Sequence, residues 1–272
     1  IDVAQRLTAV SGQSYSKQAA FFYCELASEE IAAGDPDAAR GHLQQALTTY
    51  PNAVRATMML GDMAISGGKF EEAAAIPLTF LTAWQMVVDK LGVRPGDDVL
   101  VMAAGSGVSV AAIQIAKLFG ARVIATAGSE DKLRRAKALG ADETVNYTHP
   151  DWPKEVRRLT GGKGADKVVD HTGALYFEGV IKATANGGRI AIAGASSGYE
   201  GTLPFAHVFY RQLSILGSTM ASKSRLFPIL RFVEEGKLKP VVGQVLPLEA
   251  AAEGHRLLEE RRVFGKVVLQ MG

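Results

Sequence analysis

The apolar residues of this 272-residue chain follow one pattern before about residue 75 and a different pattern after it. In the earlier part they recur every three or four residues, as in packed helices. In the later part short apolar runs alternate with amphipathic segments, which is typical of buried strands connected by helices. We therefore expect two parts, at residues 1–74 and 75–272, and the chain is long enough to form a core in each.

The N-terminal part repeats itself at a shift of 34 residues, the period of a helix–turn–helix repeat. Gly34 is expected to end one helix at a positive φ, Asp35 to cap the next helix, and Pro36 to be its first residue. Pro51 should end that second helix. The coincident pairs are Leu26 with Leu60, Ala27 with Gly61, Gly34 with Gly68, and Ala39 with Ala73.

This pattern resembles the tetratricopeptide repeat, with one full repeat at about 20–53 and the start of another at 54–70. The string AFFYCELA and the following GD turn resemble the lipopolysaccharide-assembly protein B family. Residues 1–10 would be the tail of an earlier repeat. Such repeats bind proteins on a concave surface, so the resemblance implies a protein partner. Four aromatic side chains could contact such a partner, but we interpret them as packing in the core or between repeats: Phe21, Phe22, Tyr23 and Tyr50.

Six apolar runs from residue 97 onward predict the strands of a doubly wound, parallel α/β sheet of the Rossmann type. A seventh run, FGKVVLQ, predicts a late strand near the C-terminus. The first run leads into AAGSGVSVAAIQIAK, where a turn of small residues opens a helix. The backbone N–H groups of Ser106, Gly107 and Val108 could contact a pyrophosphate at the positive helix end. The turn's place after the first strand favours dinucleotide binding.

The leading segment EAAAIPLTFLTAWQMVVDKLGVRPGDDVLV, the turn, and the closing GHRLLEERRVFGKVVL resemble the cofactor domain of medium-chain dehydrogenases/reductases. The resemblance covers about 75–272 and is closest to the zinc-type alcohol dehydrogenase and quinone oxidoreductase branch. The turn departs from the family pattern because Ala104, Ser106 and Ser109 stand where glycines are commoner. Ser109 is expected to displace the helix slightly and weaken its contact with phosphate.

The resemblance implies which residues would hold the cofactor. NAD-specific relatives carry a carboxylate after the second strand, whereas this chain has Ala127 there, followed by Ser129 and Lys132. A hydroxyl and an ammonium suit a 2′-phosphate, so NADP is predicted in preference to NAD. Tyr147 either covers the adenosine phosphate or is a strand-end aromatic. His171, Thr172, Gly194 and Ala195 would lie along the nicotinamide, and Lys266 would face the pyrophosphate.

No catalytic residue and no metal site are predicted. His171 is interpreted as lining the cleft, because the family's catalytic domain and its zinc ligands have no counterpart in this sequence. The chain has one cysteine, Cys24, and five histidines without ligand spacing. Cys24 is expected to be a buried thiol, and a reducing, cytoplasmic location is expected.

Three functions remain open. The preferred hypothesis is an engineered chimera, or a fused scaffold, that binds NADP(H) without turnover; a natural fusion or a degenerate paralogue would explain the same join. The second is an NADP-dependent oxidoreductase of the alcohol dehydrogenase or quinone reductase type. The third is a protein-interaction module built on the helices. A net charge of +2 argues against nucleic acid, and the sequence lacks an 18-residue apolar run for a membrane.

A homodimer is expected through residues 213–219. In related dehydrogenases this strand lies at the sheet edge and pairs with its symmetry mate. It is apolar and contains no Lys, Glu or Pro that would block pairing. The alternative is a monomer in which the helices cover that edge.

Overall fold

A computed structural model describes residues 15–50, 53, 55, 56, 59 and 70–271. The chain divides into two compact units, Ile1–Ala73 and Ala74–Gly272. Each unit has its own apolar core, as the two sequence patterns require.

The first unit contains a helical hairpin formed by α1 (Ser16–Ala33) and α2 (Pro36–Thr49). Gly34 ends α1 with a φ of 82°, and its N–H donates to two carbonyls of the last turn. The side chain of Asp35 accepts a 3.0 Å hydrogen bond from the Ala38 N–H, and Pro36 begins α2. These features confirm the predicted turn. The core of the hairpin is made of small residues and one leucine: Ala20, Cys24, Ala27, Ala39, Leu43 and Ala46.

The aromatic residues of α1 do not fill the core of the hairpin. Phe21 and Phe22 are 53% and 66% exposed, while the Arg55 guanidinium lies 5.3 Å from the Phe21 ring centroid, a contact with the next predicted repeat. The interface with α2 is filled instead by small side chains, among them Ala20 and Cys24. Tyr23 is partly buried and stacks on His42, and Cys24 is buried as expected. Pro51, Leu60, Gly61, Gly68 and residues 1–10 lie outside the described residues.

The second unit begins within the short helix α3 (Phe70–Ala75), and Pro77 then opens a new helix. α3 therefore ends before Ile76 and a new helix begins at Pro77, because proline lacks the N–H needed in a helix interior but fits the first position of a helix. The later helices are α4 (Pro77–Trp84), a π-helical segment (Gln85–Lys90), α5 (Gly107–Leu118), α6 (Glu130–Ala138), α7 (Trp152–Leu159), α8 (Ala174–Ala183), α9 (Phe205–Tyr210), α10 (Leu226–Glu234) and α11 (Ala251–Glu259).

Six of the strands form one parallel sheet in the order β3-β2-β1-β4-β5-β6, which is the Rossmann order. The central strand β1 pairs with β2 on one side and β4 on the other, so Val101 lies beside Ala125 and Val169. The bounds are β1 (Asp98–Val101), β2 (Arg122–Ala127), β3 (Glu143–Asn146), β4 (Ala165–Asp170), β5 (Thr184–Ile192) and β6 (Ser214–Gly217).

Apolar layers cover both faces of the sheet. Val99 and Val101 face the core that includes α4 and α5, while Leu100 and Met102 face the core that includes α7 and α8. Because alternate residues of β1 enter opposite layers and all are buried, β1 appears in the sequence as a continuous apolar run.

The predicted late strand is β8 (Lys266–Gln270), which lies outside the large sheet. It pairs in parallel with β7 (Val242–Pro247), a strand that was not predicted from the sequence. β7 contains Gly243 and is only partly buried, so its apolar signal is weak. Across the described residues, no helix has the length and apolarity needed to cross a bilayer.

Candidate functional site: the cleft at the carboxyl edge of the sheet

The turn between β1 and α5 is held to the strands on both sides of β1. The Met102 N–H donates to the Val169 carbonyl of β4, and the Ala104 N–H donates to the Thr126 carbonyl of β2. Ala103 between them adopts a φ of 50°, which is uncommon for a residue with a side chain. The turn is therefore anchored at the carboxyl edge, where ligands of such sheets bind.

Ser106 caps α5. Its hydroxyl accepts a 3.2 Å hydrogen bond from the Val108 N–H, while its own N–H donates to the Ala103 carbonyl. Two of the three N–H groups predicted to face a pyrophosphate thus have partners within the turn. A phosphate oxygen at this helix end would replace the Ser106 hydroxyl at Val108, or share the N–H with it.

Two glycines of the turn lie directly under lysine side chains. A Cβ added to Gly105 would lie 2.9 Å from Lys132 Cδ, and a Cβ on Gly107 would lie 2.8 Å from Lys266 Cδ and 2.9 Å from Thr79 Cγ2. The absence of these carbons lets both lysines cross the turn closely. Two lysine side chains, those of Lys132 and Lys266, therefore pack against the turn that opens α5.

The loop before β8 closes over the same turn. The Gly265 N–H donates to the Gly105 carbonyl at 2.9 Å, and Ser106 forms a β-bridge with Gly265. From the other side, Lys132 Nζ donates to the Arg261 carbonyl. Burial lowers the pKa of Lys132, and the neighbouring charges of Arg261 and Arg135 lower it further.

Tyr147 and Arg261 form the edge of the cleft beyond β2 and β3. The Tyr147 N–H donates to the Ala127 carbonyl, and its ring lies 4.6 Å from that of Tyr176, measured between centroids. Burial raises the pKa of the Tyr147 hydroxyl, while a hydrogen bond from Arg261 opposes the rise. Gly128 lies against this ring, since a Cβ there would be 3.1 Å from Tyr147 Cε2.

The ends of β4 and β5 form the opposite side. Asp170 is buried, and its Oδ1 accepts from both the N–H and the hydroxyl of Thr172, at 2.8 and 2.6 Å. A Cβ on Gly194 would lie 3.3 Å from His171 Cβ, so the two strand ends approach closely there. Ala195 packs against Gly173, which precedes α8.

His171 is linked to α5. Its Nε2 lies 2.8 Å from the Ser109 hydroxyl, which also donates to the Met102 carbonyl at 2.6 Å. Burial lowers the pKa of His171, an effect that the Asp170 charge and the residue's own backbone oppose. The residue expected to displace the helix, Ser109, is fully buried with its hydroxyl satisfied.

All of the predicted site residues lie along this edge, although their roles as cofactor ligands stay predictions. Ser129 caps α6, with its hydroxyl accepting from the Lys132 N–H. Arg261 was not predicted, because nothing in the string LEERRVFGK distinguishes a cleft arginine from a solvated one. The residues brought together are Ser106, Gly107, Val108, Ser129, Lys132, Tyr147, His171, Thr172, Gly194, Ala195 and Lys266.

Comparison with known proteins gives a match in each part of the chain. Residues 107–235 match the zinc-binding dehydrogenase family, and residues 24–78 match the tetratricopeptide repeat. The chain is 30% identical over 210 residues to quinone oxidoreductase-like protein 2 of Bos taurus, covering 74% of this chain and 60% of that protein. It thus spans about 60% of the length of that relative.

Solved structures agree with the fold. A crystal structure of an NAD-dependent alcohol dehydrogenase superposes with a TM-score of 0.73 and 99% identity, covering 75% of this chain and 60% of that one. A mycobacterial protein complexed with NADPH gives a TM-score of 0.68 and 30% identity, covering 73% and 64%. The fold is that of the nicotinamide-dependent dehydrogenases. These similarities support the oxidoreductase hypothesis more than that of an inactive scaffold.

The family name implies zinc, which needs several protein ligands around one point. Within the described ranges, no group of three or more His, Cys, Asp or Glu side chains is placed to hold a metal ion. The cleft residues therefore do not fit a zinc site, and no step below uses a metal.

The depressed pKa of His171 predicts that stability falls in acid. The unfolded chain binds a proton on this ring below about pH 6.5, whereas the folded chain does not until a lower pH. The free energy of unfolding should therefore fall as the pH drops below that value, by up to about 1.4 kcal/mol per pH unit. Urea unfolding at several pH values measures this. His171→Gln should flatten the dependence, and an equal slope in both proteins would contradict the prediction.

Proposed function

We propose that this chain binds a nicotinamide dinucleotide at the carboxyl edge of its sheet and serves an oxidoreductase of the alcohol dehydrogenase or quinone reductase type. The observation that carries the proposal is the turn that opens α5, which Lys132 crosses at Gly105 and Lys266 crosses at Gly107. A positive helix end beside two lysine side chains is suited to a pyrophosphate. The oxidoreductases among the similar proteins support the same ligand class.

Within the cleft, we propose that the pyrophosphate lies at Ser106–Val108 and that the adenosine ribose lies toward Ser129, Lys132 and Tyr147. The nicotinamide would then lie toward Thr172 and Ala195, at the ends of β4 and β5. Bound there, the nicotinamide supplies a hydride donor or acceptor. The residues of this chain orient the ring and exclude water from one side.

We propose NADP(H) as the preferred form. Ala127 offers no carboxylate to a ribose hydroxyl, while the Lys132 ammonium and the Arg261 guanidinium both lie at this end of the cleft. The alcohol dehydrogenase that is 99% identical over the shared part is NAD-dependent, which argues for NAD(H) instead. The two cofactors must therefore be compared on this chain.

Lys132→Ala should weaken NADPH binding by about tenfold, because one charge-assisted hydrogen bond to the 2′-phosphate is lost. NADH binding should weaken by less than about threefold, because NADH has no 2′-phosphate and only the hydrogen bond from Lys132 to the Arg261 carbonyl is lost. Fluorescence titration gives both dissociation constants, expected to be on the order of tens of micromolar for NADPH in the unaltered chain.

Arg134→Ala is the matched control. It removes a cation from the same helix, but the Arg134 side chain is exposed and pairs with Asp131 at 3.0 Å. Equal losses for NADPH and NADH in the Lys132 variant would refute the assignment to the 2′-phosphate.

Turnover separates an active oxidoreductase from a scaffold that only binds. We expect substrate-dependent oxidation of the reduced cofactor with at least one quinone, enone or aldehyde, followed by nicotinamide absorbance. Gly107→Leu is the control, because its Cβ would collide with Thr79 and Lys266 at the helix start. No turnover above the rate with cofactor alone, despite saturable binding, would favour the scaffold.

We also propose that the chain joins segments of two origins. The dehydrogenase similarity covers about three quarters of the chain, and a tetratricopeptide match covers residues 24–78. The helical segment resembles repeats of the lipopolysaccharide-assembly protein B family, and a protein partner remains a proposal for it. The exposed Phe21 and Phe22 are side chains available for such a contact.

We propose a two-fold dimer through β6. This strand ends the sheet order and pairs with β5, and α9 before it exposes three aromatic side chains: Phe205, Phe209 and Tyr210. An edge strand offers unpaired backbone groups to a second copy, and an apolar surface next to it adds area that such a copy can bury. Because the connection between α9 and β6 is short, the exposed aromatic side chains lie close to the edge strand.

Light scattering over a concentration series should give about twice the 28.9 kDa mass of the chain. Phe205→Asp should lower the mass to that of the monomer, because it places a charge on the proposed interface. Leu258→Asp, an equally simple change at an exposed leucine of α11, should leave it unchanged. A monomer at every concentration would refute the dimer.

A further inference from the structure

Ser109 is a fully buried polar residue of α5 that the binding proposal does not use. It lies in the first turn of the helix and has no exposed surface. Its hydroxyl oxygen lies 2.6 Å from the Met102 carbonyl oxygen and 2.8 Å from His171 Nε2. One hydroxyl therefore contacts the end of β1 and the end of β4 at once.

The proton positions in this contact follow from counting donors. The Met102 carbonyl can only accept, so at 2.6 Å the Ser109 hydroxyl must give it its single proton. The Ser109 oxygen is then an acceptor toward His171, and the proton of the second hydrogen bond must come from Nε2. His171 is therefore the Nε2–H tautomer, and its Nδ1 carries a lone pair when the ring is neutral.

We propose that Ser109 is a positioning residue of the dinucleotide cleft, because its hydroxyl holds His171 in the Nε2–H form and ties the start of α5 to the end of β4. This proposal rests on the proposed dinucleotide site. The two elements joined are those that would bind the pyrophosphate and the nicotinamide. Ser109 touches neither ligand group and acts through His171 and the backbone at Met102.

The link matters because it adds a side-chain hydrogen bond between the start of α5 and the end of β4. Gly194 packs closely beside His171, since a Cβ there would lie 3.3 Å from His171 Cβ. The His171 carbonyl accepts from the Ser196 N–H, and the ring bonds to the Ser109 oxygen through Nε2 in addition to its interaction with the residue's own backbone. Without the hydroxyl, the partly buried Nε2–H would lose this acceptor.

Nitrogen NMR of the ring tests the link directly and needs no cofactor. At neutral pH, the wild-type His171 should show a protonated Nε2 and an unprotonated Nδ1. Ser109→Ala should lose that single-tautomer signature. A protonated Nδ1 in the wild type, or an unchanged signature in Ser109→Ala, would overturn the proposal.

Binding tests the positioning role. Ser109→Ala and His171→Leu should each weaken NADPH binding by about fivefold to tenfold. The double variant should bind NADPH no more weakly than either single variant. His171→Gln should bind within about threefold of wild type, because its amide can donate to the Ser109 oxygen. Additive losses, or a wild-type dissociation constant in Ser109→Ala, would overturn the positioning role.

Thr184→Val separates positioning from a general loss of stability. Thr184 is also fully buried and donates to a backbone carbonyl, that of Val180, at 2.7 Å, but it lies at the amino end of β5. This variant should melt at a lower temperature and bind NADPH normally. If wild type binds neither NADPH nor NADH, the proposed function fails and the positioning role with it, while the NMR result still decides whether the link exists.

Discussion

The anchoring of one turn to two strands is the constraint on which the rest of the cleft depends. Met102 and Ala104 donate backbone hydrogen bonds to β4 and β2, so the turn after β1 cannot move without disturbing the sheet. The direction of α5 follows from that turn, and the positive end of the helix is aimed at the carboxyl edge. Lys132 and Lys266 then cross the turn closely only because it has no side chain at Gly105 and Gly107.

The C-terminal loop completes this arrangement from a distant part of the sequence. Arg261 and Gly265 lie far from the turn along the chain, yet both bond to it or to the lysine that crosses it. The positions of two basic residues of the candidate site, Arg261 and Lys266, therefore depend on how β8 packs. This explains why a loop without a recognisable motif contributes to the candidate site.

Much of the fold could be predicted from local pattern. The inner strands of the large sheet are buried on both faces, so they appear as apolar runs, and the caps at Gly34 and Asp35 depend on neighbours within a few residues. Local pattern does not decide burial where it depends on distant packing. Phe21 and Phe22 have helical spacing like that of core residues, but the small side chains of Ala20 and Cys24 occupy the interface with α2.

The sequence by itself determined the parallel sheet, the turn that opens α5 and the edge where a dinucleotide would bind, because these follow from hydrophobic period and from turn chemistry. Only the tertiary structure decided the partners of the polar groups. Ser109 was expected to disturb the helix, yet it bonds to Met102 and His171 at 2.6 and 2.8 Å. A buried hydroxyl destabilises the fold if it has no partner and stabilises it if an acceptor and a donor lie within hydrogen-bonding distance. For Ser109, the distances to Met102 and His171 are set by the packing of β4 against β1.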